Sequence, residues 1–226
     1  MSGVILLAGR VAALDDSGRT SAIAKQPVSG PQRLGPEGLA TDEQADRRVH
    51  GGPEKAIHHY PAEHYPLWQD DLGPLPLLDR PGAFGENIAA AGFTERDVAV
   101  GDIFSLGTAL LQVSQGRQPC WKLNHRFGLA DMARRVQATG RTGWYYRVLR
   151  PGVVEPGDPL ERIDRSEPEW TLHRLWTALY VERMNLDELR AIAELDFLAE
   201  GWRRHAARRV ASGKVEDWSK RLEGSS

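Results

Sequence analysis

The sequence predicts a mainly β domain, a barrel or sandwich of short strands, followed by a small helical bundle. Three observations carry that expectation. Of 23 Gly and 14 Pro, 20 and 13 fall in residues 1–165, and these residues break a chain into short elements joined by tight turns. Residues 166–226 keep only 3 Gly and 1 Pro and carry apolar residues at helical spacing. Several short apolar or β-branched runs, each bounded by turn residues, lie in the first part. A boundary is therefore expected near Ser166, with one domain over 1–165 and another over 166–226.

In chain order, Val4–Leu7 and Ser21–Lys25 read as strands, and a helix is expected from about Ala62 to Leu72. Pro66 is tolerable there because it falls in the first turn, where its missing N–H costs no hydrogen bond. Ile103–Leu106 and Ala109–Ser114 read as a hairpin turned at Gly107-Thr108. Trp144–Leu149 is a strand whose Trp144, Tyr146 and Val148 share one face, with Tyr145 and Arg147 on the other. Leu160–Ile163 is the last strand. Many short strands with one or two helices between them favour a barrel or sandwich over a βαβ sheet. Thr171 can cap a helix carrying Leu172, Leu175, Trp176, Leu179 and Tyr180 on one face. Asn185 or Asp187 starts a second helix, Glu200 a third, and Val215–Leu222 holds a short one.

Composition narrows the function. The chain has 226 residues, 29 Lys+Arg against 31 Asp+Glu, and a formal net charge of -2. That balance gives no bulk attraction to nucleic acid or anionic membrane, so neither is expected as a partner. No apolar run approaches the roughly 18 residues of a membrane span. Val4–Ala8 lacks a basic leader and a cleavage site, so it does not read as a signal peptide. A single cysteine, Cys120, excludes an internal disulfide, a Cys-rich zinc site and an iron–sulfur cluster built within the chain. The expected location is cytoplasmic. Neither a dinucleotide fingerprint nor a phosphate-binding P-loop is present.

Three clusters could carry chemistry. Arg117-Gln118-Pro119-Cys120-Trp121-Lys122 sets a thiol between two cations, which favour its ionised form. A thiolate is a soft ligand suited to a polarizable metal, although a lone cysteine is more often a small buried hydrophobe. Asp46-Arg47-Arg48-Val49-His50-Gly51-Gly52, followed by Lys55, His58, His59 and Tyr60, is the second. Gly51 and Gly52 allow close backbone approach and an anion-binding nest, and His50 could donate to a phosphate or a heterocycle edge. A plain Gly-Gly turn with a capping His is the simpler reading of the spacing. The three histidines lack compact metal spacing, so zinc hydrolysis is not expected. Pro81 through Asn87 is the third, a tight loop in which Asn87 could read a heterocycle or simply close its own turn.

Five stretches together resemble the MOSC domain, the C-terminal fold of molybdenum cofactor sulfurase. They are Ser21–Lys25, Asp46–Gly52, Phe84–Asn87, Gln115–Cys120 and Gly143–Val148, in order and with compatible spacings. The tail Ser212–Ser219 is similar to the end of the YiiM-like branch, which adds a three-helix domain. Gly116 stands where that family often has Pro, and Thr41 where it usually has Gly.

The resemblance implies a β-barrel binding a molybdopterin-type molybdenum cofactor, with Cys120 as the protein ligand to molybdenum. Lys25, His50, Gly51, Gly52, Asn87 and Arg117 are then the expected cofactor-binding residues. The implied activity is reduction of N-hydroxylated compounds such as hydroxylaminopurines, amidoximes or hydroxylamines. Cys120 and His50 are the expected catalytic residues, with Asp46 and Tyr60 as further proton-donor candidates. Electrons would come from a separate flavin or iron–sulfur reductase, to which the Arg203-Arg204 and Arg208-Arg209 pairs could offer a basic face. The alternative is a non-catalytic cofactor carrier or sulfur-transfer accessory with a persulfide on Cys120, independent of pyridoxal phosphate within this chain.

Overall fold

A computed structural model describes residues 3–14, 18–45 and 51–224. The strands are β1 (Ile5–Ala8), β2 (Ala12–Ala13), β3 (Thr20–Ser21), β4 (Gln26–Pro27), β5 (Gln32–Gly35), β6 (Gly38–Leu39), β7 (Ile57–Pro61), β8 (Ile88–Ala90), β9 (Ile103–Leu106), β10 (Ala109–Gly116), β11 (Trp144–Arg150), β12 (Gly152–Val154) and β13 (Leu160–Asp164). Helix α1 (His64–Leu72) follows β7, α2 (Lys122–Phe127) and α3 (Met132–Thr139) follow β10, and α4 (Leu172–Trp176), α5 (Leu186–Ala193), α6 (Glu200–Ser212) and α7 (Ser219–Glu223) close the chain. Among the described residues no helix is long and apolar enough to cross a membrane.

Eight strands form one curled half-barrel sheet in the order β13-β9-β10-β11-β7-β8-β1-β4. Its pairs are antiparallel except β7 with β8, which are joined through α1. The hairpin at Gly107-Thr108 and the face alternation of β11 are as the sequence predicts, with Trp144 and Tyr146 buried. β10 is central and covered on both faces, so its apolar Leu111 and Val113 and its polar Gln112 and Ser114 are all buried. At Ser114 the ladder slips: Val113 pairs with Tyr146 and Gln115 with Tyr145. This bulge bends the strand and re-aims the segment leading to Cys120. The Ser114 hydroxyl donates to the carbonyls of Glu54 (2.6 Å) and Tyr145 (3.1 Å), which satisfies it inside the sheet.

Ser21–Lys25 departs from expectation. Only Thr20–Ser21 is strand there, and the Lys25 amide folds back on the Ile23 carbonyl in a tight turn. The apolar pattern fits a strand, but Lys25 turns inward to pair with Asp42, which an extended ladder would not allow. Thr171 and Asn185 cap α4 and α5 through their side chains, as predicted. A π turn at Thr177–Val181 extends α4. The short last helix begins at Ser219, later than expected.

The helices do not stand apart from the sheet. Leu172, Leu175, Leu189, Ile192 and Trp202 share one buried cluster with Leu111, Val113 and Trp144. Backbone bonds from Val100 to Trp170, Leu172 to Val98 and Ala199 to Ser114 tie the layers together. Each such buried leucine contributes roughly 1.5–3 kcal/mol through lost apolar hydration. Trp202 also packs over Gly116, where an added Cβ would lie 3.1 Å from the indole ring. A small residue at 116 is thus what this helix contact requires. Helix α7 belongs to a second cluster, with Leu222 packed among the group holding Leu123, Phe127, Met132, Val136 and Phe84.

Candidate functional site

Where the bulged end of β10 meets the loops from β3 to β4 and from the Pro53–Lys55 turn to β7, a cleft opens to solvent. Cys120 lies on its wall, together with Lys25, Lys55, Arg117 and Lys122. Among the described residues Asp42 and Glu43 are the lining acids, so four Lys or Arg face two carboxylates and the described lining favours anions. His58, Tyr145, Phe84, Gly85 and Asn87 complete the polar and aromatic lining that bears on the chemistry.

Each side chain is held by identifiable bonds. Arg117 is buried, its amide donates to the Gly143 carbonyl (3.0 Å), and its guanidinium lies against the Tyr145 phenol. Gly143 is fixed in turn by Glu95, whose carboxylate accepts from the Thr142 (2.9 Å) and Gly143 (2.7 Å) amides. Arg117 Nη1 is buried with no hydrogen-bond partner among the described residues, as is His58 Nε2. A buried guanidinium N–H left unpaired is costly, so this atom marks where an anionic or acceptor group would bind. Burial, reinforced by the Arg117 charge, pushes the His58 pKa well below its ordinary value, so that ring is neutral at neutral pH. Burial likewise raises the Tyr145 pKa, keeping the phenol protonated.

Lys25 forms a buried ion pair with Asp42, and burial is the larger influence on it, lowering its pKa. Asp42 also accepts from the Gly9 amide (2.8 Å) and from Asn87 Nδ2 (2.9 Å). Asn87 Nδ2 reaches the Leu7 carbonyl too (3.2 Å), and its Oδ1 accepts from the His58 amide (3.2 Å). Asn87 therefore stitches β1, β7 and Asp42 together instead of closing its own turn. The preceding loop is organised by buried Glu86, which accepts from the Gly82 (2.6 Å) and Phe84 (3.1 Å) amides and from the Tyr65 hydroxyl. Gly85 has φ +78°, and a Cβ there would sit 2.8 Å from Ile23.

Cys120, Lys25, Arg117 and Asn87, which sequence reasoning singled out, thus share one cleft. Gly51 and Gly52 precede the Pro53–Lys55 turn, which delivers Lys55 to the cleft, but are themselves absent from its described lining. His50 and Asp46 lie outside the described residues. Tyr60 does not fit a proton-donor role: it is fully buried, donating to the Arg141 carbonyl (3.1 Å) and accepting from Trp68 Nε1 (2.6 Å). The proposed basic face is also reduced. Arg209 is buried, bonded to Glu216 (2.7 and 2.9 Å) and to the Leu179 carbonyl (2.8 Å), and Arg203 and Arg204 pair with Asp196 and Glu200. Arginines spaced along a helix cannot all face solvent when one side of that helix meets the core.

Sequence reasoning missed Asp42 and Tyr145 as cleft residues and did not select His58 or Lys55. The face opposite Trp144 and Tyr146 signalled Tyr145, because a strand with one apolar face aims its alternate residues elsewhere. Nothing local signalled Asp42.

Comparison with known proteins agrees with this architecture. A model of the MOSC domain matches residues 46–161, and one of the "YiiM-like, 3-alpha helix domain" matches residues 170–213. The chain is 42% identical over 207 residues to Protein YiiM of Escherichia coli, covering 92% of each. The crystal structure of YiiM from Escherichia coli superposes with a TM-score of 0.84 over 99% of this chain and 100% of that one, at 35% identity. A protein of Gibberella moniliformis named "Reductase" is 38% identical over 177 residues, which cover 78% of this chain but 31% of that longer protein. By sequence, superposition and element order, the chain belongs to the MOSC domain family, in the YiiM-like branch that carries a C-terminal three-helix domain.

Proposed function

We propose that the cleft binds a molybdopterin-type cofactor through Cys120 and that the protein reduces N-hydroxylated small molecules, hydroxylaminopurines, amidoximes and hydroxylamines among them. The observation that carries this reading is a lone thiol on the wall of a cationic cleft that it shares with a buried guanidinium whose Nη1 has no partner among the described residues. The residues present fit such a group. Cys120 offers a soft sulfur ligand for molybdenum. Arg117, with Lys25, Lys55 and Lys122 around it, offers charge-assisted donors to phosphate and pterin oxygens. When bound, the cofactor supplies a two-electron centre able to accept oxygen from an N–O bond.

The chain's own residues do the rest. Asp42, itself bonded by Asn87, holds the Lys25 ammonium at the wall, and Glu95 through Gly143 holds Arg117. Tyr145, kept protonated by burial and lying in the cleft, is the described group best suited to deliver a proton to the departing oxygen. With one cysteine and no nucleotide fingerprint, electrons enter from a separate flavin or iron–sulfur reductase. The fungal relative's name, "Reductase", supports a reductive role for the shared region.

The test is anaerobic turnover of 6-N-hydroxylaminopurine with an artificial reductant, using protein from a cofactor-competent host, alongside molybdenum analysis. Wild type should hold stoichiometric molybdenum and form the amine, and Cys120→Ser should lose both. Equal rates in the two proteins would refute cysteine ligation. Cyanide-labile sulfur without molybdenum would instead identify a sulfur carrier.

A further inference from the structure

The residues that fix Cys120 come from the far end of the chain. The Trp121 amide, which belongs to the peptide group following Cys120, donates to the Arg221 carbonyl (2.8 Å). The Pro119 carbonyl, which belongs to the peptide group preceding Cys120, accepts from Arg221 Nη1. Both peptide planes flanking the cysteine are thus held by one residue of α7. Two planes fix the φ and ψ between them, and with them the Cα–Cβ direction that aims the sulfur.

Arg221 is itself braced. Its Nη2 donates to Gln137 Oε1 on α3, and burial lowers its pKa without removing the guanidinium charge. Leu222 packs in the second core, and its carbonyl accepts from Asn124 Nδ2 (2.8 Å). Asn124 Oδ1 accepts from the Ala133 amide (2.7 Å), joining α2, α3 and α7. Beyond the helix, Gly224 lies against the Trp121 ring. The other side of the cysteine loop is tied to the helical layer too, through Gln118 Nε2 and the Tyr180 hydroxyl (2.8 Å).

We infer that Arg221 is a positioning residue for Cys120, and that the C-terminal helices serve the cleft by carrying α7 back across the cysteine loop. The clamp stands on these hydrogen bonds alone. Its importance for turnover rests on Cys120 being the metal ligand.

Because Cys120 is the sole thiol and is buried, intact mass reads its alkylation by iodoacetamide directly in cofactor-free protein. Loss of a hydrogen bond from a charged donor raises a local opening about tenfold. Arg221→Ala should therefore alkylate about tenfold faster than wild type, with Arg221→Lys between the two because it keeps one donor but not the fork. Leu189→Ala, buried in the helical layer away from α7, should lower Tm while leaving the alkylation rate unchanged. If Arg221→Ala does not fold, Gln137→Leu withdraws the brace alone and should still accelerate alkylation. An Arg221→Ala rate within about twofold of wild type, or an unchanged rate in Gln137→Leu where only that variant folds, overturns the clamp whatever the metal content. Faster alkylation combined with full molybdenum in Cys120→Ser would keep the clamp and sink the cofactor reading.

Discussion

His59 makes the stability of the protein depend on pH in a way that can be worked out in advance. It lies on β7 with its ring 4.3 Å from that of Trp144, its Nδ1 3.0 Å from the Tyr146 hydroxyl and its Nε2 without a partner among the described residues. Burial pushes its pKa from the ordinary 6.5 down to about 3. The folded state therefore holds this ring neutral while the unfolded chain binds a proton below pH 6.5. The unfolded state takes up more protons, so stability is complete above pH 6.5 and falls as pH drops toward 3. At pH 5 the protein has traversed about one and a half pH units of that window, a loss of about 2 kcal/mol at ~1.36 kcal/mol per unit. Other groups titrate as well, so the assay is a comparison: urea unfolding of wild type and His59→Gln at pH 8 and pH 5. The substitution carries a packing cost at both pH values, but the gap between the two proteins should narrow by about 2 kcal/mol at pH 5. Curves that keep the same gap to within about 0.5 kcal/mol at both pH values would refute a neutral, buried His59.

Further predictions concern the walls of the cleft. Asp42→Ala strands the Lys25 ammonium, leaves the Gly9 amide without its acceptor and removes one of the two acceptors of Asn87 Nδ2. It should cost about 3 kcal/mol by chemical denaturation, and a loss below about 1 kcal/mol would show that Lys25 swings into solvent freely. Gly85→Ala forces a side chain into a positive-φ position against Ile23. A loss of about 1–2 kcal/mol or more is expected in thermal melts, together with weaker cofactor retention, because the same loop presents Phe84 and Asn87 to the cleft.

Local pattern was enough for elements whose stability is local or whose faces are simply in or out. The hairpin turned at Gly107-Thr108, the alternation in β11, the caps at Thr171 and Asn185, and the apolar face of α4 all arise from turn chemistry and periodicity. The thiol between its cations was legible for the same reason, since Arg117, Cys120 and Lys122 are neighbours in the chain. Tertiary structure decided whatever depends on partners distant in sequence. Lys25 reads as the end of a strand until Asp42, 17 residues away, draws it inward. Arg209 reads as surface charge until Glu216 and a helix carbonyl enclose it, and Arg221 looks unremarkable until it reaches Pro119 from 102 residues away. A hydrogen bond or ion pair between remote segments leaves no period in the sequence, because its geometry exists only after both segments have been packed into place.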